Sequence, residues 1–331
     1  MQTDNTSPTD NISQQEALVS VLIPCYNAAP FILETLDSVI AQTFTNWECI
    51  VVDDHSSDNS VEIIQTCCEK YPDKIKLYIN PRKGACAARN VAFEKSKGDF
   101  IQYLDADDLL APNKIEKQMQ LFYQYGSHII TSGIWGRFFN SKDDVIWESQ
   151  IINKDYPSTI NWLMDSWCGK GMMAQHTWLI PSHLIKIAGS WNEQLQINQD
   201  GEFFSRILIQ AESIKFCREA KVYYRSGNNN SVSQSNKNKM KLNSLLLSYK
   251  LYKKNVKDYL NDISVRKALA NNLLNFIYQY HAHYPTLVKE TEAQFYKLDV
   301  GKMWPVGGKN FKRIAKIIGF KNALILKKIL K

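Results

Sequence analysis

No stretch of this 331-residue chain approaches 18 consecutive apolar residues, so no transmembrane helix is expected. The seven cysteines, Cys25, Cys49, Cys67, Cys68, Cys86, Cys168 and Cys217, are odd in number and never stand in a C-x-x-C spacing. Most neighbour apolar or small residues, which points to reduced structural thiols and against a zinc site. Residues 1–17, MQTDNTSPTDNISQQEA, lack the apolar core of a signal peptide and read as a disordered leader. No G-x-G-x-x-G follows the first strand pattern, where IPCYNAAPF stands instead, and a dinucleotide-binding dehydrogenase is thereby disfavoured. There is no internal repeat.

Acidic residues are missing altogether from Gly301 to Lys331, a stretch holding nine of the 40 Lys and Arg. The first 300 residues therefore carry 31 basic against 33 acidic groups, a net of −2 within an overall +7. A nearly neutral body with one basic segment does not describe a nucleic-acid-binding protein. In GGKNFKRIAKIIGFKNALILKKILK, residues Phe311, Ile314, Ile318, Ile325, Leu326 and Ile329 recur at helical spacing, with most of the basic residues off that stripe. Two readings stand for 301–331, a helix packed on the body or an amphipathic helix on an anionic membrane surface through 309–331.

What is present begins with alternation. SVLIPCYN, WECIVVDD, IKLYIN and DFIQYL read as strands. PFILETLDSVIAQT, SVEIIQTCCEKY and GACAARNVAFEKS between them read as helices, the last entered through Gly84. Uniformly apolar strands interleaved with helices predict an α/β fold with a mainly parallel sheet flanked by helices. Residues 128–227 are mixed and rich in Trp and Tyr. SGNNNSVSQSN reads as a linker at 228–238, and helical periodicity then returns over 239–300.

In an open α/β sheet, ligands bind beyond the carboxyl ends of the strands. Polar clusters fall at three such ends: Pro24-Cys25-Tyr26-Asn27, Asp53-Asp54, and Asp105 to Asp108 in QYLDADDLL. At roughly 4 Å each like-charged pair costs on the order of 1 kcal/mol in water, so three carboxylates behind one strand call for an opposite charge. A hard divalent cation, Mg²⁺ or Mn²⁺, suits oxygen ligands of this kind. Asp108 is expected to cap the helix that follows.

Taken together, these motifs with GACAARN, IQYLDADDLLAPNKIEKQ and WNEQLQINQDGEFFSRIL resemble the family 2 glycosyltransferases of GT-A fold, over roughly residues 18–225. The resemblance implies a hexosyl-transferring enzyme that uses a nucleotide-sugar donor, of the UDP class, and a glycan or lipid-linked acceptor. It implies a divalent metal and an inverting single displacement. Residues 18–127 would form the nucleotide-sugar half and 128–227 the acceptor half of one domain. The protein would be cytoplasmic, with peripheral attachment to the inner face of a membrane if the basic segment binds lipid.

By resemblance, Pro24, Tyr26, Asn27, Asp53 and Asp54 line the nucleoside pocket, and Lys83 and Arg89 face the donor phosphates or the neighbouring aspartates. Asp107 ligates the metal, while Asp105 bonds the ribose or the metal through water. Asp200 is the candidate general base; Gln199 departs from the acidic pair common in the family. Loop packing for Tyr26, helix capping for Asp53 and Asp54, and a solvated helix surface for Arg89 are the competing readings. Glu202 either orients the acceptor or lies on a helix surface. Arg206 is expected to pair with an acid, and His176 to be a satisfied core histidine beside Trp178. The Trp and Tyr of 162–178 fit either an acceptor platform or the core. A non-catalytic sugar-nucleotide or glycan-binding relative is the alternative function.

Overall fold

The computed structural model describes residues 17–227 and 238–329, so all but one residue each of the expected leader and linker lies outside the described residues. The described residues pack as two compact units, one formed by residues 17–159, 171–193 and 206–227, the other by 160–170, 194–205 and 238–329. Residues 160–170 and 194–205, within the 18–227 segment, thus group with the C-terminal helices.

In the first unit, β1 (Val19–Cys25), α1 (Ile32–Ile40), β2 (Trp47–Asp53), α2 (Ser60–Lys70), β3 (Ile75–Ile79), α3 (Ala85–Lys95) and β4 (Phe100–Tyr103) alternate as expected. Strands β1 to β4 pair in parallel in the order β3-β2-β1-β4, with Val19 opposite Trp47 and Phe100, and Cys49 opposite Ile75. Val21, Leu22, Ile23, Ile50, Val51 and Val52 have no exposed surface. Helices cover both faces of such strands, which is why their sequences are apolar without alternation.

After β5 (Leu109–Leu110) and α4 (Lys114–Tyr125), the mixed region resolves into a second sheet absent from the sequence reading. It contains β6 (Ile130–Phe138) and β7 (Ile146–Trp147), followed in the chain by α5 (Thr159–Trp167), β8 (Ile180–Pro181), α6 (Ser182–Ala188), α7 (Gln199–Gln210) and β9 (Ile214–Arg225). The sheet order is β5-β9-β6-β7, while β8 adds antiparallel to β4 and completes the five-stranded sheet. Strand β9 pairs with β6 on one side and β5 on the other, which sets its last residue, Arg225, beside the Asp105–Asp108 turn.

The second unit is helical. Helices α8 (Lys239–Asn255), α9 (Ile263–Tyr280) and α10 (Pro285–Tyr296) bury Leu242, Leu246, Phe276 and Leu287 in one cluster. Asn238 caps α8 and Asp262 caps α9 through side-chain oxygens, each accepting from a first-turn N–H. Pro285 opens α10, where its missing N–H costs nothing. Helices α11 (Lys309–Ile318) and α12 (Phe320–Ile329) follow. Among the described residues no helix is long and apolar enough to cross a membrane.

Candidate functional site

The strand ends of the first unit are built by side-chain hydrogen bonds to loop backbone. Asn27 takes the left-handed conformation (φ 48°), tolerable for Asn, and its Oδ1 accepts from Ser57 N at 2.8 Å. Asp53 ends β2 buried, with Oδ2 accepting from Ser56 N at 3.0 Å, so it fixes the loop after β2. Asp54 accepts from Asn80 Nδ2 at 2.7 Å and from Gly84 N at 2.8 Å. Its partners are neutral N–H groups of the β3–α3 connection. Gly84, at φ 102°, enters α3 in a conformation that a side chain would strain. Neither aspartate caps α2; Asp58 does that work, accepting from Ser60 N at 3.0 Å. Tyr26 is 62% exposed, which removes loop packing as its explanation, and Lys83 beside Gly84 is exposed as well. Pro24 lies in β1 itself.

Arg89 is buried and no surface residue. Its Nη2 donates to Asp105 Oδ1 at 2.9 Å, and its guanidinium lies over the Trp191 ring at 4.7 Å. Gln175 Nε2 donates to the same Oδ1. Trp191 also meets Tyr103 edge-on at 5.2 Å, so the apolar end of β4 and the cation are packed by one indole. The fork of Arg89 is thereby held in one orientation.

Asp107 and Asp108 are held by Arg225. Arg225 N donates to Asp108 Oδ1 at 2.8 Å, Arg225 Nε to the Asp107 carbonyl at 2.9 Å, and Arg225 Nη2 pairs with Glu34. The Arg225 guanidinium lies over Phe138 and Phe31 at 4.4 and 4.8 Å. Asp108 is therefore not the helix cap expected from sequence. Helix α4 starts six residues on with Asn113 as its N-cap, and Asp108 is instead buried against β9 and His176. Burial, then the charges of Asp107 and Asp105, hold its carboxyl well above the ordinary carboxylate range. His176 Nδ1 lies 3.2 Å from Asp108 Oδ2 without the alignment of a hydrogen bond, and the ring stacks on Tyr224. Complete burial pushes His176 down to about 3, so it is neutral at physiological pH.

The Asp107 side chain is half-exposed, as is Asp105. Among the described residues no three His, Cys, Asp or Glu side chains gather into a metal cage made by the protein alone. Two hard carboxylates still fit a magnesium-like ion, which takes one or two from the protein and the rest from water and phosphate. Asp105 and Asp107, separated by one residue after β4 and both partly open to solvent, supply such a pair.

Asp200 belongs to the second unit and opens α7 together with Gln199. The turn before it is pinned by α8. Asn198 (φ 58°) donates from Nδ2 to Ser248 Oγ at 2.7 Å and to Tyr252 Oη at 2.8 Å. A Cβ on Gly201 would come within 2.2 Å of Tyr252 Oη, so only glycine lets this turn lie against α8. Glu202 is buried and accepts from Asn255 Nδ2 at 3.2 Å, which corrects the surface reading. Arg206, expected to meet an acid, donates to the carbonyls of Ala188, Gly189 and Ser190 at 2.5, 2.8 and 2.8 Å and so caps the C-terminus of α6. Trp162, Trp167 and Trp178 are buried, which fits core packing rather than a sugar platform.

Against this geometry, the sequence model described as glycosyl transferase family 2 matches residues 20–179. That segment belongs to glycosyl transferase family 2. Over 130 residues the chain is 39% identical to the Escherichia coli UDP-Glc:alpha-D-GlcNAc-diphosphoundecaprenol beta-1,3-glucosyltransferase WfgD, covering 37% of this chain and 50% of that protein. Over 108 residues it is 40% identical to the putative teichuronic acid biosynthesis glycosyltransferase TuaG of Bacillus subtilis, covering 32% and 42%. The chain thus spans half or less of the length of these curated relatives. S. aureus TarS residues 1–349, solved in complex with UDP-GlcNAc, superposes with a TM-score of 0.61 at 16% identity, over 85% of this chain and 88% of that one. At that identity the likeness concerns the fold, which is that of the GT-A glycosyltransferases.

Four residues that hold the strand-end carboxylates and Arg89 in place escape the sequence reading: Asn80, Gln175, Trp191 and Arg225. Only Arg225 leaves a signal, a cation closing the aromatic strand KVYYR before a polar stretch. The others are ordinary polar or aromatic residues whose partners Asp54, Asp105 and Arg89 lie 26, 70 and 102 positions away.

Proposed function

We propose that this protein is a glycosyltransferase that moves a sugar from a UDP-class nucleotide donor to a glycan or lipid-linked acceptor, with inversion at the anomeric carbon. The observation that carries the reading is the Arg89–Asp105 pair at the end of β4, packed on Trp191, beside the half-exposed carboxylate of Asp107. The UDP-Glc donor and diphosphoundecaprenol-linked acceptor in the name of WfgD, and the UDP-GlcNAc bound to TarS, support the same class of donor and acceptor.

Exposed Tyr26 offers an aromatic face to the base, and Asp54, fixed by Asn80 and Gly84, offers a carboxylate oxygen to an imide N–H or ribose hydroxyl. Pro24, Asn27 and Asp53 shape that loop, and Lys83 stands where it can meet phosphate. Asp107, with Asp105, would hold a divalent cation, which when bound supplies positive charge to the departing diphosphate. Asp200 accepts the proton of the acceptor hydroxyl. The hydroxyl oxygen attacks the anomeric carbon, the bond from that carbon to the diphosphate breaks, and the nucleoside diphosphate leaves from the opposite face. Arg89 neutralises Asp105, so the diphosphate meets fewer net negative charges.

A panel of sugar nucleotides assayed for hydrolysis and for transfer to simple glycan acceptors tests the reading. Turnover of one donor class, with product of inverted configuration, is the expected result. Donor binding without turnover of any acceptor would favour the non-catalytic sugar-nucleotide-binding alternative.

A further inference from the structure

The basic segment splits its apolar residues between two faces. One face is docked within the helical unit: Phe311 packs edge-on to Tyr278 at 4.7 Å and meets Phe320 at 5.8 Å. Ala315, Phe320, Ala323 and Leu324 are buried with it. Lys327 Nζ sits over the Tyr278 ring at 3.5 Å, and Lys321 Nζ reaches Glu292 at 2.7 Å. The helices are therefore held in place, as the packing reading expected. That docking leaves a second apolar set uncovered. Ile317 is 85% exposed, Ile329 74% and Ile325 60%, with Ile314 and Ile318 about half as exposed as Ile317.

Spacing organises this second set. Ile314, Ile317 and Ile318 stand three and four apart on α11, and Ile325 and Ile329 four apart on α12, so each helix presents a stripe. Lys312, Arg313, Lys316 and Lys328 are exposed on the same two helices, and residues 301–329 contain no acid. Five outward isoleucines on two short helices are more than scattered surface residues require.

We propose that the exposed face of α11 and α12 is a docking surface for an anionic lipid bilayer, with the isoleucines entering the interface and the cations meeting headgroup phosphates. Charge and apolarity together select this occupant. A nucleic-acid backbone would satisfy the cations but gains nothing from isoleucine side chains. A second copy of the chain would cover the isoleucines but would set two acid-free basic segments against each other. A bilayer with anionic headgroups answers both features in one plane. Because Phe311 and Lys327 are fixed on Tyr278, the surface holds the helical unit in one orientation and does not act as a loose tether.

The test is co-sedimentation of the full chain with phosphatidylglycerol–phosphatidylcholine vesicles and with pure phosphatidylcholine vesicles, at low and high salt. No donor or acceptor is added, so the result is independent of the transfer reaction. The full chain should pellet with the anionic vesicles only, and less at high salt. The double variant I314S/I317S and the double variant K312E/R313E should each bind at least about tenfold more weakly, since the first removes apolar burial in the interface and the second reverses two charges. Both alter exposed residues, so circular dichroism and melting should be unchanged. Equal binding to neutral vesicles, no binding at low salt, or binding indifferent to both variants would overturn the proposal. So would a wild-type dimer that I314S/I317S dissociates, or release of the protein from anionic vesicles by neither variant but capture by RNA.

Discussion

Arg89 gives Asp105 a charged hydrogen bond at 2.9 Å while its guanidinium lies over the Trp191 ring at 4.7 Å. A lysine at this position keeps the charge but loses the flat stacking surface and the fixed donor direction. Charge-assisted hydrogen bonds contribute about 1.5–3 kcal/mol. Arg89→Lys should therefore weaken sugar-nucleotide binding by roughly 10- to 100-fold. Titration calorimetry of both proteins checks this, and an unchanged dissociation constant would detach Arg89 from the donor site.

Arg225 ties α1, β9 and the aspartate turn together through Glu34, Asp108 and the Asp107 carbonyl. Arg225→Met keeps the backbone bond to Asp108 but strands the Asp107 carbonyl and unpairs Glu34. A buried acceptor left without its donor costs about 1–3 kcal/mol. The urea midpoint should fall accordingly, while Glu34→Gln, with half its side chain in water, should cost less.

Lys114 is fully buried at the start of α4, with Nζ donating to Gln102 Oε1. Burial holds its ammonium well below the ordinary 10.5. The folded protein thus favours neutral Lys114, whereas the unfolded chain keeps the proton up to about pH 10.5. The unfolded state binds more protons, so this residue makes stability rise with pH, by at most about 1.4 kcal/mol per unit. Comparing chemical denaturation at pH 7 and 8.5, Lys114→Met should show a smaller rise than wild type. The buried thiols Cys25 and Cys49, themselves pushed up by burial, cancel in that difference. Equal pH slopes would mean that Lys114 stays charged in the fold.

Legibility in the sequence follows the range of the interactions. The parallel half could be read because β1 to β4 are apolar runs closed by local turn chemistry, such as Gly84 entering α3. The second sheet could not, because 75 residues separate β6 from β9 and β9 buries Ile214, Cys217, Ala220, Val222 and Arg225 without the period of two that marks a strand. Asp107 and Asp108 looked alike as letters, and only the arrival of β9 distinguishes a half-exposed carboxylate from a buried one. Glu202 misled for a similar reason: its burying partner, Asn255, comes from a helix more than fifty residues downstream.

Asp200 stands after a turn pinned by Ser248 and Tyr252, so its backbone is fixed independently of substrate. As the proposed base, Asp200→Asn should leave donor affinity intact and lower transfer by about 10²- to 10⁴-fold. Near-normal turnover would remove it from the mechanism. Tyr252→Phe, which keeps the ring but removes one of the two bonds that Asn198 Nδ2 makes to α8, should lower kcat with little change in donor KM.

On the proposed function, the strand-end carboxylates bind a nucleotide sugar together with a divalent cation. The most direct measurement is calorimetric titration of UDP-sugars into wild type and Asp107→Asn, each with Mn²⁺ and with EDTA. Cation-dependent binding by the wild type is expected, with its loss in Asp107→Asn and an Asp107→Asn fold at least as stable as wild type, because one of the charges that push Asp108 up is gone. Donor binding of equal strength in all four titrations would contradict it.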